Sequence, residues 1–266
     1  MIYRDKYEIF YEVMIKMFDT LKSRIYQGNQ AIPDIKKAEI DEKFRGLPLI
    51  NKQNCSNCSK CITICPTNAI SLDISIDMGK CVFCGDCERE CPNNVIEFTN
   101  FHKVSSTSRE YLIADLHTSE NNYLTNAIKS SDLIKKTFGK SLKLRQVSAG
   151  GCNGCEMELN ACSNVNFDMG RFGIDIVASP RHADGIIITG PISENMADAL
   201  ENAYLSVPDP KIVILAGTCA ISGGIFQKSN ALKRDFLEKY NIDLYIPGCP
   251  VHPLTFINGL LEFLGK

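Results

Sequence analysis

The sequence reads Cys55-Ser-Asn-Cys-Ser-Lys-Cys-Ile-Thr-Ile-Cys-Pro66 within its first quarter, and the same spacing returns between Cys81 and Pro92. Each cysteine of the first copy recurs at a constant offset in the second, as does the proline that follows the fourth cysteine. A fixed period of this kind indicates a duplicated supersecondary unit. The repeat contains eight of the 13 cysteines of the chain, which are Cys55, Cys58, Cys61, Cys65, Cys81, Cys84, Cys87 and Cys91.

The spacing inside each copy, Cys-x2-Cys-x2-Cys-x3-Cys-Pro, is typical of bacterial ferredoxin sequences that bind two [4Fe–4S] clusters. In that pattern, three cysteines of one copy share a cluster with the fourth cysteine of the other copy. Paired zinc sites are the alternative, but tetrahedral zinc makes no use of a third cysteine at this spacing or of the Cys-Pro step. We therefore expect two cubic clusters with crossed ligands, namely Cys55, Cys58, Cys61 and Cys91 for the first, and Cys65, Cys81, Cys84 and Cys87 for the second.

The rest of the composition is that of an ordinary globular protein. Of the 266 residues, 44% are hydrophobic and 23% are charged, and the formal net charge is −2. This balance gives no reason to expect a nucleic-acid partner. The apolar runs are strand-sized, and the first residues have neither the apolar segment nor the paired arginines of an export signal. We therefore expect a cytoplasmic location, where disulfides are rare and cysteines serve metal or redox chemistry.

From residue 142 onward, short apolar segments alternate with helical patterns. The predicted strands are 142–147, 174–178, 185–189, 212–216 and 243–246. The predicted helices are 156–165, 194–204, 232–239 and 253–264. Nearly continuous apolar strands separated by helices are typical of a parallel sheet that is covered on both faces. We therefore predict an α/β flavodoxin-like domain with a doubly wound, mostly parallel sheet, which follows an α+β ferredoxin-like domain.

Four more cysteines follow strands of the predicted sheet. Cys152 and Cys155 come after the first strand. Cys219 follows the fourth strand, and Cys249 follows the fifth. Because the carboxyl ends of parallel strands meet at one edge of an open sheet, we expect these four thiols to converge on a third metal site. The remaining cysteine, Cys162, is expected to be a small buried hydrophobic side chain.

The segments around these four cysteines resemble one subunit family. They read Gly150-Gly-Cys-Asn-Gly-Cys-Glu-Met-Glu158, Gly217-Thr-Cys-Ala-Ile-Ser-Gly-Gly224 and Tyr245-Ile-Pro-Gly-Cys-Pro-Val-His-Pro253. With the segments between them, they are similar to the small subunit of group 4, formate-hydrogenlyase-type [NiFe] hydrogenases, a family shared with the cluster-N2 subunit of respiratory complex I. The cysteine repeat resembles the two-cluster ferredoxin subunit of the same complexes. The chain as a whole thus resembles a fusion of two subunits.

This resemblance implies a third, proximal [4Fe–4S] cluster that faces a catalytic large subunit. Cys152-x2-Cys155 and His252 favour the hydrogenase branch, because the similar complex I subunits usually have adjacent cysteines and an arginine at these places. Val251 departs from the proline that is usual in both branches. Three cubic clusters would use twelve of the 13 cysteines, so a nickel–iron centre, which takes four more, is expected in a partner chain. The cysteines that the resemblance assigns to the proximal cluster are Cys152, Cys155, Cys219 and Cys249.

We predict four segments along the chain. Residues 1–45 form an N-terminal helix and arm, in which Tyr7–Ile25 has apolar residues at helical spacing. Residues 46–100 form the two-cluster ferredoxin domain. Residues 101–141 form a linker with a helix, and residues 142–266 form the domain that resembles the hydrogenase small subunit and its counterpart in complex I.

The expected function is that of an oxidoreductase subunit whose catalytic centre lies in a partner. Three [4Fe–4S] clusters would relay electrons between a low-potential donor, such as a ferredoxin or a formate dehydrogenase module, and a [NiFe] large subunit. We expect other subunits of a membrane-bound complex as partners, and a peripheral position on the cytoplasmic face of the inner membrane. Two alternatives stay open. One is an iron–sulfur subunit of a complex-I-like quinone or ferredoxin oxidoreductase without nickel, and the other is a soluble two-domain electron carrier.

Overall fold

The computed structural model describes residues 31–266 and, before them, positions 14, 18, 19, 21–26 and 28. The helix predicted over Tyr7–Ile25 therefore lies largely outside the described residues. Within it, Phe18, Leu21 and Ile25 are helical and exposed, and 78% of the Ile25 surface is accessible. In the part of the chain that is described, no helix combines the length and the apolar character that a membrane span requires.

The cysteine-rich segment, residues 46–100, is built from short elements. Strand β1 (Pro48–Ile50) pairs antiparallel with β3 (Ile96–Phe98), and β2 (Ile76–Asp77) pairs with β4 (Ile113–Ala114) from the following segment. Helices α1 (Lys60–Ile64) and α2 (Asp86–Arg89) begin at equivalent places in the two copies of the repeat. Short 3₁₀ helices cover Ile35–Lys37, Lys52–Asn54 and Glu110–Leu112.

The connecting segment, residues 101–141, packs against the C-terminal part of the chain. It contains helices α3 (Glu120–Asn126) and α4 (Asp132–Phe138) besides β4. Ser106 and Tyr245 exchange two backbone hydrogen bonds, at 2.9 and 2.8 Å, so the connecting segment adds an antiparallel bridge beside the last strand of the large sheet. The connection is therefore held in place by its own hydrogen bonds.

A five-stranded parallel sheet organises the sheet segment, residues 142–266. Its strands lie in the order β6-β5-β7-β8-β9, and each neighbouring pair is parallel. The predicted α/β sheet is confirmed, with strand ends that lie close to the predicted ones. The strands are β5 (Leu142–Ser148), β6 (Ile174–Ile176), β7 (Gly185–Thr189), β8 (Ile212–Ala216) and β9 (Leu244–Ile246).

The four helices that the sequence predicts in the sheet segment occur, two of them shorter than expected, and one more short helix follows β8 where none is predicted. The α-helices are α5 (Gly154–Ala161), α6 (Glu194–Ser206), α7 (Thr218–Ser222), α8 (Phe236–Lys239) and α9 (Pro253–Phe263), and 3₁₀ helices cover Met169–Phe172, Pro180–His182 and Gly224–Phe226. Helix α5 ends before residue 165 because the side chain of Asn164 accepts from the backbone N–H groups of residues 166 and 167, which favours a turn. Helix α8 begins after residue 232 because Leu232 forms a β-bridge with Ser193.

Alternate residues of the central strand β7 face two different cores. Ile187 packs in the core that contains Ile257 of helix α9, whereas Ile186 and Ile188 pack in the core that contains Leu200 of helix α6. This alternation follows from the two-residue period of a strand. Both faces of the sheet are therefore covered, as the doubly wound prediction requires.

The cysteine-rich segment shares one of these cores with the sheet segment. Leu47 and Met78 are fully buried in the cluster that also contains Leu215 of strand β8. Burial of apolar surface is the main favourable term in folding and in association of parts. The two cysteine-bearing segments are thus joined by a common core.

We predict that Gly190→Ala destabilises the fold. Gly190 follows β7 with a φ of +79°, and a Cβ there would lie 1.7 Å from the carbonyl oxygen of Gly150. The variant should lose at least about 2 kcal/mol of stability, seen as a thermal midpoint that is lower by about 4–8 °C in anaerobic circular dichroism. Gly170→Ala is the matched control, because its Cβ would meet only Asp175 Oδ1 at 3.6 Å. Equal midpoints for the two variants would contradict this account of the turn.

Candidate metal centres

The eight cysteines of the repeat line two cavities. Cys91 lies with cysteines of the first copy, and Cys65 lies with cysteines of the second copy, so the structure brings together the crossed sets that the spacing predicts. The first group consists of Cys55, Cys58, Cys61 and Cys91, and the second group consists of Cys65, Cys81, Cys84 and Cys87.

Backbone N–H groups point at equivalent sulfur atoms in the two copies. The N–H of Asn57 donates to Cys55 Sγ at 3.4 Å, and the N–H of Phe83 donates to Cys81 Sγ at 3.3 Å. Asn57 and Phe83 have φ values of 54° and 53°, in the left-handed region that L-residues seldom adopt. Since Phe83 occupies in the second copy the place that Asn57 has in the first, the duplication preserves an unusual backbone geometry as well as the cysteine spacing.

The fourth cysteine of each copy receives the same kind of hydrogen bond. The N–H of Ala69 donates to Cys65 Sγ at 3.2 Å, and the N–H of Val95 donates to Cys91 Sγ at 3.3 Å. Hydrogen bonds to the sulfurs are among the features that tune an iron–sulfur cluster, because they stabilise negative charge on the ligands. Both cavities therefore offer four thiols together with N–H donors directed at them.

The other predicted set gathers at the carboxyl edge of the parallel sheet. Cys152 and Cys155 lie in the turn and first residues of α5, after strand β5. Cys219 lies in α7 after strand β8, and Cys249 follows strand β9. The loops that carry them are in contact, because the N–H of Thr218, beside Cys219, donates to the carbonyl oxygen of Gly248, beside Cys249, at 2.9 Å. Burial, and then the nearby Cys249 and Cys152, raise the pKa of Cys219. We call these four cysteines the third group.

Glycines make room for the sulfur atoms of the third group. A Cβ on Gly217 would lie 2.5 Å from Cys155 Sγ, and a Cβ on Gly224 would lie 2.9 Å from Cys219 Sγ. Both glycines also have a positive φ, of +96° and +55°. The backbone can approach these sulfurs closely only because the two positions lack a side chain.

Burial controls the protonation of the thiols. It raises the pKa of Cys81 and of Cys155 to about 12, and that of Cys219 to about 11. The neighbouring cysteines add to this effect, because a second thiolate nearby disfavours the first. Since iron binds the thiolate, metal binding at these cysteines must release protons.

None of the groups is arranged for a single metal ion. Over the described ranges, no three side chains of the types His, Cys, Asp and Glu are placed to hold one ion. A zinc ion draws its sulfur ligands to about 2.3 Å from one point, whereas a cubic cluster spreads them over four iron atoms. The first and second groups, each with a cavity between its four thiols, suit the second kind of donor arrangement.

The second and third groups are joined by a buried hydrogen bond. Thr218, the neighbour of Cys219, donates from Oγ1 to the carbonyl oxygen of Cys81 at 2.8 Å. Gln227 Nε2 donates to the carbonyl oxygen of Thr67, which lines the second cavity, at 2.9 Å. These contacts between the segments therefore lie on the side of the second group.

His252 has a structural position beside the third group. Its Nδ1 accepts from the backbone N–H of Leu254 at 3.1 Å and so caps helix α9. Its ring makes edge contacts with Phe44 and Phe167, at centroid distances of 5.3 and 6.2 Å. Burial lowers the pKa of His252, which favours the neutral ring that this cap requires.

Cys162 is the cysteine outside the three groups. It is fully buried in the core beside Leu159, and its Sγ donates to the carbonyl oxygen of Glu158 at 3.3 Å. This position fits the small buried hydrophobic side chain that the sequence predicts.

Two residues near the third group were not identified from the sequence. Thr218 lies in the segment from Gly217 to Gly224 that resembles the hydrogenase subunit family. Nothing in the local sequence of this segment predicts a contact with Cys81, which is 137 positions away. Arg234 lies in the loop before α8 and donates to four backbone carbonyl oxygens, including that of Cys219. A single arginine in a loop carries no sequence signal for such a role.

The family comparisons agree with this division of the chain. Residues 152–263 match the family described as the NADH ubiquinone oxidoreductase 20 kDa subunit, and residues 48–71 and 74–97 each match the 4Fe-4S binding domain. The chain is 36% identical to the probable membrane-bound hydrogenase subunit mbhJ of Pyrococcus furiosus, over 49% of this chain and 78% of the relative. It belongs to this oxidoreductase subunit family. The chain is accordingly an iron–sulfur, electron-transfer subunit of the family's oxidoreductases.

Other relatives in the family come from both of its branches. Formate hydrogenlyase subunit 7 of Escherichia coli is 41% identical over 52% of this chain and 54% of the relative. An NADH-quinone oxidoreductase subunit of Bacteroides thetaiotaomicron is 36% identical over 61% of this chain and 81% of the relative. A chain in the structure of the archaeal membrane-bound sulfane sulfur reductase is 32% identical, covers 50% of this chain and 73% of its own length, and has a TM-score of 0.43.

We predict that Cys219→Ser removes one of three centres. The purified wild-type chain should contain about twelve iron atoms, and the variant should lose about four of them together with one electron paramagnetic resonance (EPR) signal. The signals of the first and second groups should persist, because their eight cysteines lie in another segment.

Cys162→Ala is the control for this experiment, because Cys162 belongs to none of the groups and should be replaceable without loss of iron. Loss of all the iron in Cys219→Ser, or of four iron atoms in Cys162→Ala, would contradict the assignment of the groups.

Proposed function

We propose that this chain is the electron-transfer subunit of a membrane-associated group 4 [NiFe] hydrogenase complex. The observation that carries the proposal is the buried contact of the second and third groups, in which Thr218 beside Cys219 donates to the Cys81 carbonyl. This contact makes two redox-active sets of thiols neighbours within one chain. Two of the relatives, named as subunits of a membrane-bound hydrogenase and of formate hydrogenlyase, support the choice of the hydrogenase branch.

Each of the three groups would hold one [4Fe–4S] cluster, and a cluster bound there takes up and gives back a single electron. Four cysteines per group is the number of ligands that a cubic cluster takes. The N–H donors to Cys55, Cys81, Cys65 and Cys91 and the glycines beside Cys155 and Cys219 suit a bulky, negatively charged group. The donor sets therefore fit three clusters.

We assign the first and second groups to an α+β ferredoxin-like domain over residues 46–100, preceded by an N-terminal helix and arm over residues 1–45. The third group belongs to the domain over residues 142–266, and residues 101–141 connect the two. Support comes from the two matched 4Fe-4S motifs, which fall within 48–97, and from the oxidoreductase subunit match, which begins at residue 152.

The exposed cysteines mark two places at which partner proteins could approach the clusters. Cys58 of the first group is exposed, as are Cys152 and Cys249 of the third group. Cys81 and Cys87 of the second group are buried. We therefore place the contact with a low-potential electron donor, such as a ferredoxin or a formate dehydrogenase module, near Cys58. A catalytic large subunit would cover Cys152 and Cys249.

The third group itself favours nickel–iron chemistry in that partner. Its Cys152-x2-Cys155 spacing is the one that the resemblance associates with hydrogenases. His252 differs from the arginine of complex I subunits, and its Nδ1 caps helix α9, which an arginine cannot do because its side chain has no acceptor. The local structure at this position is thus built around histidine.

The complex would be bound to the cytoplasmic face of the inner membrane through other subunits. Support comes from the Pyrococcus furiosus relative, which is named a probable membrane-bound hydrogenase subunit. The described residues provide no spanning helix of their own.

We predict that the complex isolated anaerobically through this chain contains nickel, at about one atom per chain. Its large subunit should contain two Cys-x2-Cys pairs, because a nickel–iron centre takes four soft thiolate ligands. The complex should evolve hydrogen with a low-potential dye, whereas the isolated chain should not.

A complex without nickel, without those four cysteines and without hydrogen evolution would exclude the hydrogenase proposal. It would instead indicate a complex-I-like quinone or ferredoxin oxidoreductase. Recovery of this chain without any partner would favour a soluble electron carrier.

A further inference from the structure

Arg234 is held against the backbone that carries Cys219. Its Nη1 donates to the carbonyl oxygens of Pro191 at 2.8 Å and of Cys219 at 3.1 Å. Its Nη2 donates to the carbonyl oxygens of Ala220 at 2.7 Å and of Ile221 at 3.0 Å. The guanidinium is therefore fixed by four neutral acceptors.

These hydrogen bonds explain how the loop is held, but hydrogen bonds to carbonyl oxygens do not by themselves require a positively charged donor. The carbonyls of Cys219, Ala220 and Ile221 lie in the short helix α7, Thr218–Ser222. A cation near the carboxyl end of a helix is favourable, and an uncharged donor could also bond to such carbonyls. Arginine is the residue that adds a permanent positive charge to this position.

That charge has no carboxylate partner in the described part of the chain. The ion pairs found there involve other lysines and arginines. The ionisable side chain beside it is that of Cys219, whose carbonyl oxygen accepts from Arg234 Nη1 and whose sulfur would carry negative charge as a cluster ligand. Glu156 acts on Cys219 with the opposite sign, and is itself held by hydrogen bonds from Ser148 and Thr189, both at 2.7 Å.

We infer that Arg234 is a positioning residue that raises the reduction potential at the third group by holding a fixed positive charge behind Cys219. The inference rests on the proposed binding of a cluster by the third group. Reduction adds one electron to a site that already has four thiolates, so a nearby cation stabilises the reduced state more than the oxidised state. Arg234 thereby makes the third group a better electron acceptor from the second group, across the Thr218 contact.

The test is a redox titration, monitored by EPR, of the intact complex with Arg234→Gln or Arg234→Lys. Arg234→Gln should lower the midpoint potential of the third centre enough to shift the electron distribution between the second and third centres about tenfold, which is about 59 mV for a one-electron couple. Arg234→Lys keeps the charge and should keep the potential. The other two centres should be unchanged in both variants.

Lys211→Gln is the matched control. Lys211 Nζ donates to the carbonyl oxygens of Tyr204 and Val207, at the end of helix α6, and the residue precedes strand β8, whereas Cys219 follows it. This change removes a basic residue that binds carbonyls at the opposite edge of the sheet. It should leave the potential of the third centre at the wild-type value.

An unchanged potential in Arg234→Gln, with the third signal retained, would overturn the inference. If the third EPR signal is lost in Arg234→Gln, the Arg234→Lys variant distinguishes a role of the charge from a role of the hydrogen bonds. A retained signal at the wild-type potential supports a role for the charge, whereas a lost signal or a lowered potential in Arg234→Lys overturns it in favour of simple loop capping. Failure of cluster binding at the third group would look different, because the wild-type complex itself would then lack a third EPR signal. Failure of the hydrogenase assignment would be a complex without nickel that keeps that signal.

Discussion

The whole arrangement depends on the carboxyl edge of the parallel sheet lying directly against the cysteine-rich segment. The buried hydrogen bond from Thr218 to the Cys81 carbonyl marks this contact, and the common core of Leu47, Met78 and Leu215 holds it. Removing a partner from such a buried hydrogen bond costs about 1–3 kcal/mol. Without this contact the chain would be two independent sets of thiols, and with it the second and third groups become neighbours.

Close approach of backbone to sulfur is the second constraint, and the two segments meet it differently. In the cysteine-rich segment, Asn57 and Phe83 adopt left-handed backbone conformations that direct N–H groups at Cys55 and Cys81. In the sheet segment, glycines leave the space that the sulfurs occupy. The first solution recurs in both copies of the repeat, and the second depends on loops at the ends of separate strands.

Charge around the third group follows from the same crowded geometry. Cys155 and Cys219 are partly buried, which raises their pKa values to about 12 and about 11. Arg234 and Glu156 then act on Cys219 with opposite signs. Thiolates that lie close together in a partly buried site repel one another, so a nearby positive charge stabilises them. Here that charge is Arg234, which lies in a loop without a cysteine.

Much of the site could be predicted from the sequence, because spacing and strand order carry the information. The crossed positions of Cys65 and Cys91 follow from the repeat, and the gathering of the third group follows from its position after parallel strands. Contacts between distant positions could not be predicted in this way. Thr218 and Arg234 act through partners set by the packing of the two segments and of the loops, which no local pattern records.

The same limit applies to helix ends and to the connecting segment. Helix α5 stops early because the side chain of Asn164 forms a competing turn, and helix α8 begins late because Leu232 pairs with Ser193. The connecting segment, expected to be a linker with a helix, forms backbone hydrogen bonds with Tyr245. The helix ends and the bridge each depend on particular hydrogen-bond partners rather than on the periodicity of the segment itself.

The central claim is that the second and third groups are adjacent members of one relay within this chain. The most direct measurement is the EPR spectrum of the third centre during stepwise reduction of the intact complex. If the two groups are in contact through Thr218, the third signal should broaden or split as the second centre becomes paramagnetic, because magnetic coupling between spins falls steeply with distance. A third signal that keeps its shape throughout the reduction of the second centre would contradict the account.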